Sequence, residues 1–328
     1  KSHQDSRLHR FKTGPMRFAL NAASIAQQKG LPSPALQPVG LHFRCHYWFR
    51  TDVFVEFQDP IPVEAPEVPD TPRRLPSGTW EEPPAEQVNY LRDRLFSSLS
   101  EITPDAPDWD TYRAWHLIGH VRANAANEPL QSFKDEVLAA RDVRDSLIGR
   151  EKSESLLTPA TEAAKILHDH DLDARSLGGL KLKTSRLWTR ALVGVSLMLL
   201  AAPVTIPSTG IQAFLAWFMG NRTDEGVDAR TTYHFLAGMF SPVLVWPPLA
   251  ILISLILIPP SISSIPFNLW LALVIIFLIH ASNLVFLCGY DCWSDFSTSL
   301  KRANLESSEQ GNRLVELVKE VSINLNVL

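Results

Sequence analysis

Histidines placed near carboxylates are the first residues in this sequence that could do chemistry. His168-Asp169-His170-Asp171-Leu172-Asp173 sets a histidine and an aspartate at His-x4-Asp spacing, which would suit a general base and the carboxylate that orients it. The motif falls at the polar end of a helical pattern, where Asp and His cap or solvate. A base needs a pocket and not a spacing alone, so a solvated surface is the expectation here. Metal binding by His168 and His170 is a lesser alternative, since residues two apart do not share a helix face. His116 and His120 are four apart and do share one, but no third ligand is evident, so packing is expected. His42 and His46 flank Arg44 and lead into Tyr47-Trp48; they line a binding site or face solvent, and both readings stay open. His280 lies inside a long apolar run and is expected to face Asn283 or another helix rather than to act. Cys45, Cys288 and Cys292 form neither an even disulfide framework nor a CxxC metal spacing, which fits a reducing compartment.

The elements that would position these residues differ along the chain. Residues 14–30 read as a helix, with Pro15 at its start, Gly30 at its C-terminal cap, and an apolar face from Phe18 to Ala26. Two strands follow. Val39, Leu41 and Phe43 alternate, and Val53-Phe54-Val55-Glu56-Phe57 is rich in β-branched and aromatic residues. Residues 60–84 are dense in proline and acids and read as a linker or an extended segment. Helical spacing returns over 85–100, 109–122, 128–150 and 159–170, and again over 305–321, where Leu314, Leu317, Val318 and Val321 make an amphipathic face.

The second half is apolar. Leu236–Ile258 and Ile265–Gly289 are runs of 23 and 25 residues without an acidic or basic side chain other than His280. Each exceeds the ~20 residues needed to cross a bilayer, and the uncharged turn at 259–264 joins them into a transmembrane hairpin. A shorter run from Ala191 is interrupted by Pro203 and by Pro207-Ser208-Thr209-Gly210 before Ile211–Met219. Lys181, Lys183, Arg186 and Arg190 precede it, Arg222 and Arg230 follow it, and Lys301 and Arg302 follow the hairpin. If 191–219 dips into one leaflet and returns, all these cations lie on one side, as the positive-inside tendency asks; a re-entrant unit is therefore expected. Pro247-Pro248 predicts a kink after Trp246. With 328 residues and a net charge of −4, the chain offers no electrostatic footprint for nucleic acid.

Order and spacing in the first 63 residues resemble the second half of the phospholipid/glycerol acyltransferase domain, in the long form of the glycerol-3-phosphate and 1-acylglycerol-3-phosphate acyltransferase family. The matching blocks are Lys1-Ser2-His3, then Asp5-Ser6-Arg7-Leu8, then Phe11-Lys12-Thr13-Gly14 with its small-residue helix. Pro38-Val39-Gly40-Leu41, Phe49-Arg50 and Phe57-Gln58-Asp59-Pro60-Ile61 complete the series. Tyr233-His234-Phe235-Leu236-Ala237-Gly238 entering the hairpin is similar to the same long form, while 64–186 matches only loosely.

That resemblance implies the following expectations. The fold is α/β in a partial acyltransferase domain over 1–63, followed by a Pro-rich linker and helical region over 64–186. An α-helical membrane domain occupies 187–295 (re-entrant 191–219, spans 236–258 and 265–289), and an amphipathic helix lies in 296–328. The activity is acyl transfer from acyl-CoA or acyl-carrier protein to glycerol 3-phosphate or a related acceptor, without a metal or other cofactor. Lys1, Ser2, His3 and Lys12, with the strand carrying Pro38, Val39 and Gly40, belong to the acceptor side; Lys1 or Lys12 would meet phosphate as a point charge. The family's catalytic His-x4-Asp and its Phe-Pro-Glu-Gly block are not in this sequence, and both are expected upstream of Lys1. His168 lies more than a hundred residues beyond the block such a base should precede. Membrane lipids are the expected partners, with the soluble part cytoplasmic. A non-catalytic membrane scaffold derived from the same fold is the rival reading; a transporter is a weak third, since one hairpin supplies no pathway.

Overall fold

The computed structural model describes residues 6–45, 49–66, 82–148, 153–177, 184–223, 227–258 and 264–325. The chain divides into two compact units, one formed by 1–45, 50–165 and 317–328, the other by 46–49 and 166–316.

In the first unit, α1 (Gly14–Gln28) begins with Pro15 in its first turn and ends at Gly30, whose φ of 65° is the left-handed cap. That conformation lets the Leu31 amide reach back to the Ala26 carbonyl at 2.8 Å. Met16, Leu20 and Ala23 of α1 pack with Ile61, Val63, Val88 and Leu91 to form a core. Two short antiparallel sheets follow: β1 (Ala35–Leu36) pairs with β4 (Ile61–Pro62), and β2 (Val39–Phe43) pairs with β3 (Val53–Phe57). The expected α/β acyltransferase fragment is thus not what forms. Among the described residues no strand pair is parallel and neither sheet exceeds two strands, so no layered sheet is built.

Helices α2 (Ala85–Ile102), α3 (Trp109–Ala125), α4 (Phe133–Leu147) and α5 (Ser153–Asp169) occupy the regions where the spacing predicts them. Their ends follow local chemistry. Asp108 caps α3 by accepting the Thr111 amide at 2.7 Å, which holds its carboxyl below the ordinary range. A Ser132–Asp135 capping box starts α4 at 133 rather than at 128. α3 and α4 meet closely at Gly119, where an added Cβ would lie 3.2 Å from Ala139.

The second unit is helical. α6 (Thr184–Thr205) continues through a π turn (Ile206–Gly210) into α7 (Ile211–Gly220); α8 (Val227–Phe240) continues through a second π turn (Ser241–Val245) into α9 (Trp246–Leu257). α10 (Ile265–Glu306) is 42 residues long, and α11 (Glu309–Leu325) follows, starting later than the 305 expected because α10 runs on to 306. Three helical stretches, Leu187–Gly220, Thr232–Leu257 and Ile265–Glu306, are long and apolar enough to cross a membrane. Leu200, Ile256, Leu273 and Phe277 stand exposed along them, as a hydrocarbon surround requires.

α6 and α10 lie antiparallel. Arg190 pairs with Asp295, Trp188 meets Phe296 at 5.2 Å, and Ser282 donates to the Ala201 carbonyl at 3.0 Å. Gly194 and Gly289 bring the two backbones together, so that a Cβ on Gly194 would fall 2.7 Å from the Gly289 carbonyl oxygen. α9 also packs on α10, through Trp246, Ala250, Ala272, Ile275 and Ile279, as the returning arm of a hairpin. α6 and α9 therefore run in the same direction. α7 packs on α8 instead, so the chain leaves along α7, returns along α8, and must change direction at both π turns.

Two expectations change on this account. The return expected within the unit 191–219 does not fall at Pro207–Gly210, which is a helical turn, since Thr205 (φ −69°, ψ −41°) and Gly210 (φ −62°, ψ −40°) both stay helical. The return is made by α8, whose end from Leu236 to Phe240 the expected span 236–258 had included. The break in that span lies at 241–245, around Pro242, and precedes Trp246 rather than following it.

Candidate functional site

The residues implied as the acceptor side fall into three groups. Lys1, Ser2 and His3 lie outside the described residues. Lys12 is exposed immediately before α1, beside Phe11, whose ring meets Phe96 edge-on at 5.8 Å. Pro38, just ahead of β2, and Gly40 on it are buried, while Val39 points the other way and is 36% exposed. Among the described residues no hydrogen bond or ion pair joins Lys12 to that strand. The glycine at 40 is dictated by space: an added Cβ would lie 2.9 Å from Ile102 Cδ1 and 3.1 Å from His42 Nε2.

The buried face of β2 and β3 carries polar groups. Register places Gly40 opposite Glu56 and His42 opposite Phe54. The His42 ring stacks on Phe54 at 5.4 Å, and its Nε2 stands 3.3 Å from Glu56 Oε2 without the alignment of a hydrogen bond. Arg141 of α4 donates to both Glu56 oxygens and to the Ile102 carbonyl at 3.0 Å. Neighbouring Arg144 donates to the carbonyls of Ser100, Glu101 and Thr103, so α4 supplies cations to the C-terminal end of α2.

A second set lies beside the first. Arg44 holds Glu136 with both terminal nitrogens, donates through Nε to Asp52 at 2.9 Å, and covers the Phe133 ring at 4.7 Å. His120 Nε2 is 3.4 Å from Glu136 Oε2. Burial pushes the Glu136 carboxyl upward, but the His120 contact and the bidentate Arg44 pair outweigh it, and the group is held at about 2. Arg44 is the stronger holder, since the His120 contact lacks hydrogen-bond geometry. For Glu56, the Arg141 hydrogen bonds likewise lower the carboxyl against the effect of burial. His42 shifts downward because burial disfavours its charged form; Glu56 opposes this and Arg141 adds to it. Burial pushes the Tyr112 phenol upward.

In the first set Arg141 meets Glu56; in the second Arg44 meets both Glu136 and Asp52. The His42 side chain is 2% exposed and that of His120 8%, which leaves no face for a substrate proton. These groups position β2 and β3 against α3 and α4; they are not a base. His116 packs its ring between Tyr112 at 4.6 Å and Phe133 at 6.4 Å. His46 lies outside the described residues. At the His-x4-Asp spacing, Arg175 holds both Asp173 oxygens, Lys301 reaches Asp171 at 3.0 Å, and His170 Nδ1 sits 2.9 Å from the Ile166 carbonyl.

Sequence reasoning missed Glu56, Glu136 and Arg141. A signal was present for Glu136: it stands on the same stripe of α4 as Phe133, Val137 and Ala140, and an acid on an apolar stripe asks for a buried cation. No protein-family model, no curated protein and no solved structure matches this chain.

Proposed function

We propose that this chain serves a membrane-bound acyltransferase of glycerophospholipid biosynthesis, which moves an acyl chain from acyl-CoA or acyl-carrier protein to glycerol 3-phosphate or a related acceptor. The observation that carries this reading is the ordered series Phe11-Lys12-Thr13-Gly14, small-residue helix, and Pro38-Val39-Gly40-Leu41 strand, followed by three apolar helices in one chain. In such a reaction the acceptor hydroxyl attacks the thioester carbonyl, its proton passes to a base, and the thiolate leaves. The base and the phosphate-binding Glu belong to the family's His-x4-Asp and Phe-Pro-Glu-Gly blocks, which these 328 residues do not contain. In this reading the present residues supply the acceptor side, with Lys12 as an exposed cation for phosphate. The cations ahead of the apolar run that starts at Ala191, among them Arg190 in the first turns of α6, favour a cytoplasmic soluble part.

A non-catalytic membrane scaffold is the second reading. It is favoured by the described histidines His42 and His120, which are buried beside carboxylates that arginines already hold. The discriminating experiment expresses the full gene and assays membranes with labelled glycerol 3-phosphate and either acyl donor. Lysophosphatidate formation, abolished when the histidine of an upstream His-x4-Asp is replaced by alanine, supports the enzyme. Absence of product from every donor and acceptor pair, or a gene without that block, establishes the scaffold.

A further inference from the structure

The β2–β3 hairpin is built inside out. Its inward face carries Gly40, His42 and Glu56, while every outward position is apolar. Register sets Val39 across from Phe57, Leu41 across from Val55 and Phe43 across from Val53, three pairs on one face. Leu41 is 61% exposed, Val55 44% and Phe57 68%. Cross-strand neighbours of this kind adjoin, so they make one apolar patch with no charge or hydrogen-bonding side chain in it.

The loop of the same hairpin reaches the membrane boundary. Phe49 groups with the membrane unit, and its ring meets Tyr290 edge-on at 4.8 Å. Tyr290 is the first residue beyond the apolar run 265–289 of α10, and Asp291 follows it. A tyrosine so placed belongs to the aromatic belt at headgroup level. Val53 comes four residues after Phe49, so no more than about 14 Å of chain separates the start of the outward face from that level.

We propose that the outward face of this hairpin docks on the surface of the lipid bilayer. Lipid requires no matching polar group, and this face carries none. The bilayer is always at hand, because the loop is tied to its boundary at Phe49. Charge does not oppose the contact: residues 6–51 hold seven Lys and Arg and no Asp or Glu, which suits headgroup phosphates. The backbone limits the depth. Among the described residues neither outer edge of the hairpin has a strand partner, and open edges are not carried into hydrocarbon. The face therefore rests about 5–10 Å into the headgroup zone, where water still reaches the edges. The inference stands whether or not the chain takes part in acyl transfer.

The test uses the full chain in nanodiscs of phosphatidylcholine and phosphatidylserine. Cys45, Cys288 and Cys292 are changed to serine, and a nitroxide label is attached in turn at Leu41→Cys, at Val55→Cys and, as a water-facing control, at Asn124→Cys near the end of α3. Positions 41 and 55 project outward, so the label replaces no packed side chain. Collisions with oxygen, which concentrates in lipid, are compared with collisions with a water-soluble nickel chelate. Positions 41 and 55 should favour oxygen and read about 5–10 Å deep, and position 124 should favour nickel. Nickel dominance at 41 and 55 overturns the proposal, because the face then stands in water. Low access to both reagents overturns it too, because a protein surface then covers the face. In a second arm, the pair Leu41→Glu, Val55→Glu should switch a label at Phe57→Cys from oxygen to nickel. A label there that stays with oxygen overturns the docking of this face.

Discussion

Replacing Glu136 by glutamine tests whether the buried ion network holds the first unit together. Glu136→Gln keeps the size and removes the charge that Arg44 meets with both terminal nitrogens. The shift of this carboxyl from 4.5 to about 2 corresponds to about 3 kcal/mol of stabilisation. Breaking a buried pair from one side destabilises by about 3–5 kcal/mol. Arg44 keeps Asp52 and the Phe133 ring, which softens the loss, so a decrease of about 2–4 kcal/mol is expected. Urea unfolding of the full chain in detergent, read by pulse proteolysis at sites within 82–148, measures it. The double change Arg44→Met, Glu136→Leu removes both charges and should lose less than the single one. Acid acts in the same direction. The folded carboxyl is depressed, so its contribution is fully present above about pH 4.5 and is lost as pH falls toward about 2. A change below about 0.5 kcal/mol for Glu136→Gln would place the residue with ordinary surface positions and refute the assignment.

His42 has a lowered folded pKa because burial disfavours its charge, so unfolding takes up a proton as pH drops below 6.5. Stability of the first unit should therefore decline from pH 7 to 5, and His42→Gln, which cannot charge, should flatten that decline; an unchanged slope counts against it. In the membrane unit, Gly194→Val would drive a side chain into the Gly289 carbonyl and should lower stability by about 1–3 kcal/mol. Gly210→Ala, whose nearest neighbours are 3.8 Å away, should be near neutral in the same detergent melt.

Helices were the most legible part of the sequence, because their signals are local. Pro15 and Gly30 bracket α1, Ser132 with Asp135 opens α4, and the uncharged runs on both sides of 259–264 exceed what a bilayer needs. Strands were legible as elements and not as a fold. The alternation of Val39, Leu41 and Phe43 is visible, but a period-2 pattern suggests that this apolar set is buried. Leu41 is 61% exposed instead, and Gly40 and His42 face inward. Tertiary partners decided this: Arg141 and Arg44 bring cations to Glu56 and Glu136 from residues 85 and 92 positions away, and no local rule registers such pairs.

The membrane unit divides in the same way. Composition by itself determined that the runs 236–258 and 265–289 are apolar and long enough to cross, whereas the third helix of crossing length, Leu187–Gly220, emerged only with the continuous helical backbone. Where the chain changes direction was decided by packing. Proline and glycine at 207–210 are compatible with either a reversal or a helical turn, and the choice fell to the fit of Gly194 against Gly289 and of Trp246 against Ser208. These contacts join residues 95 and 38 positions apart, and only the folded chain brings them within reach.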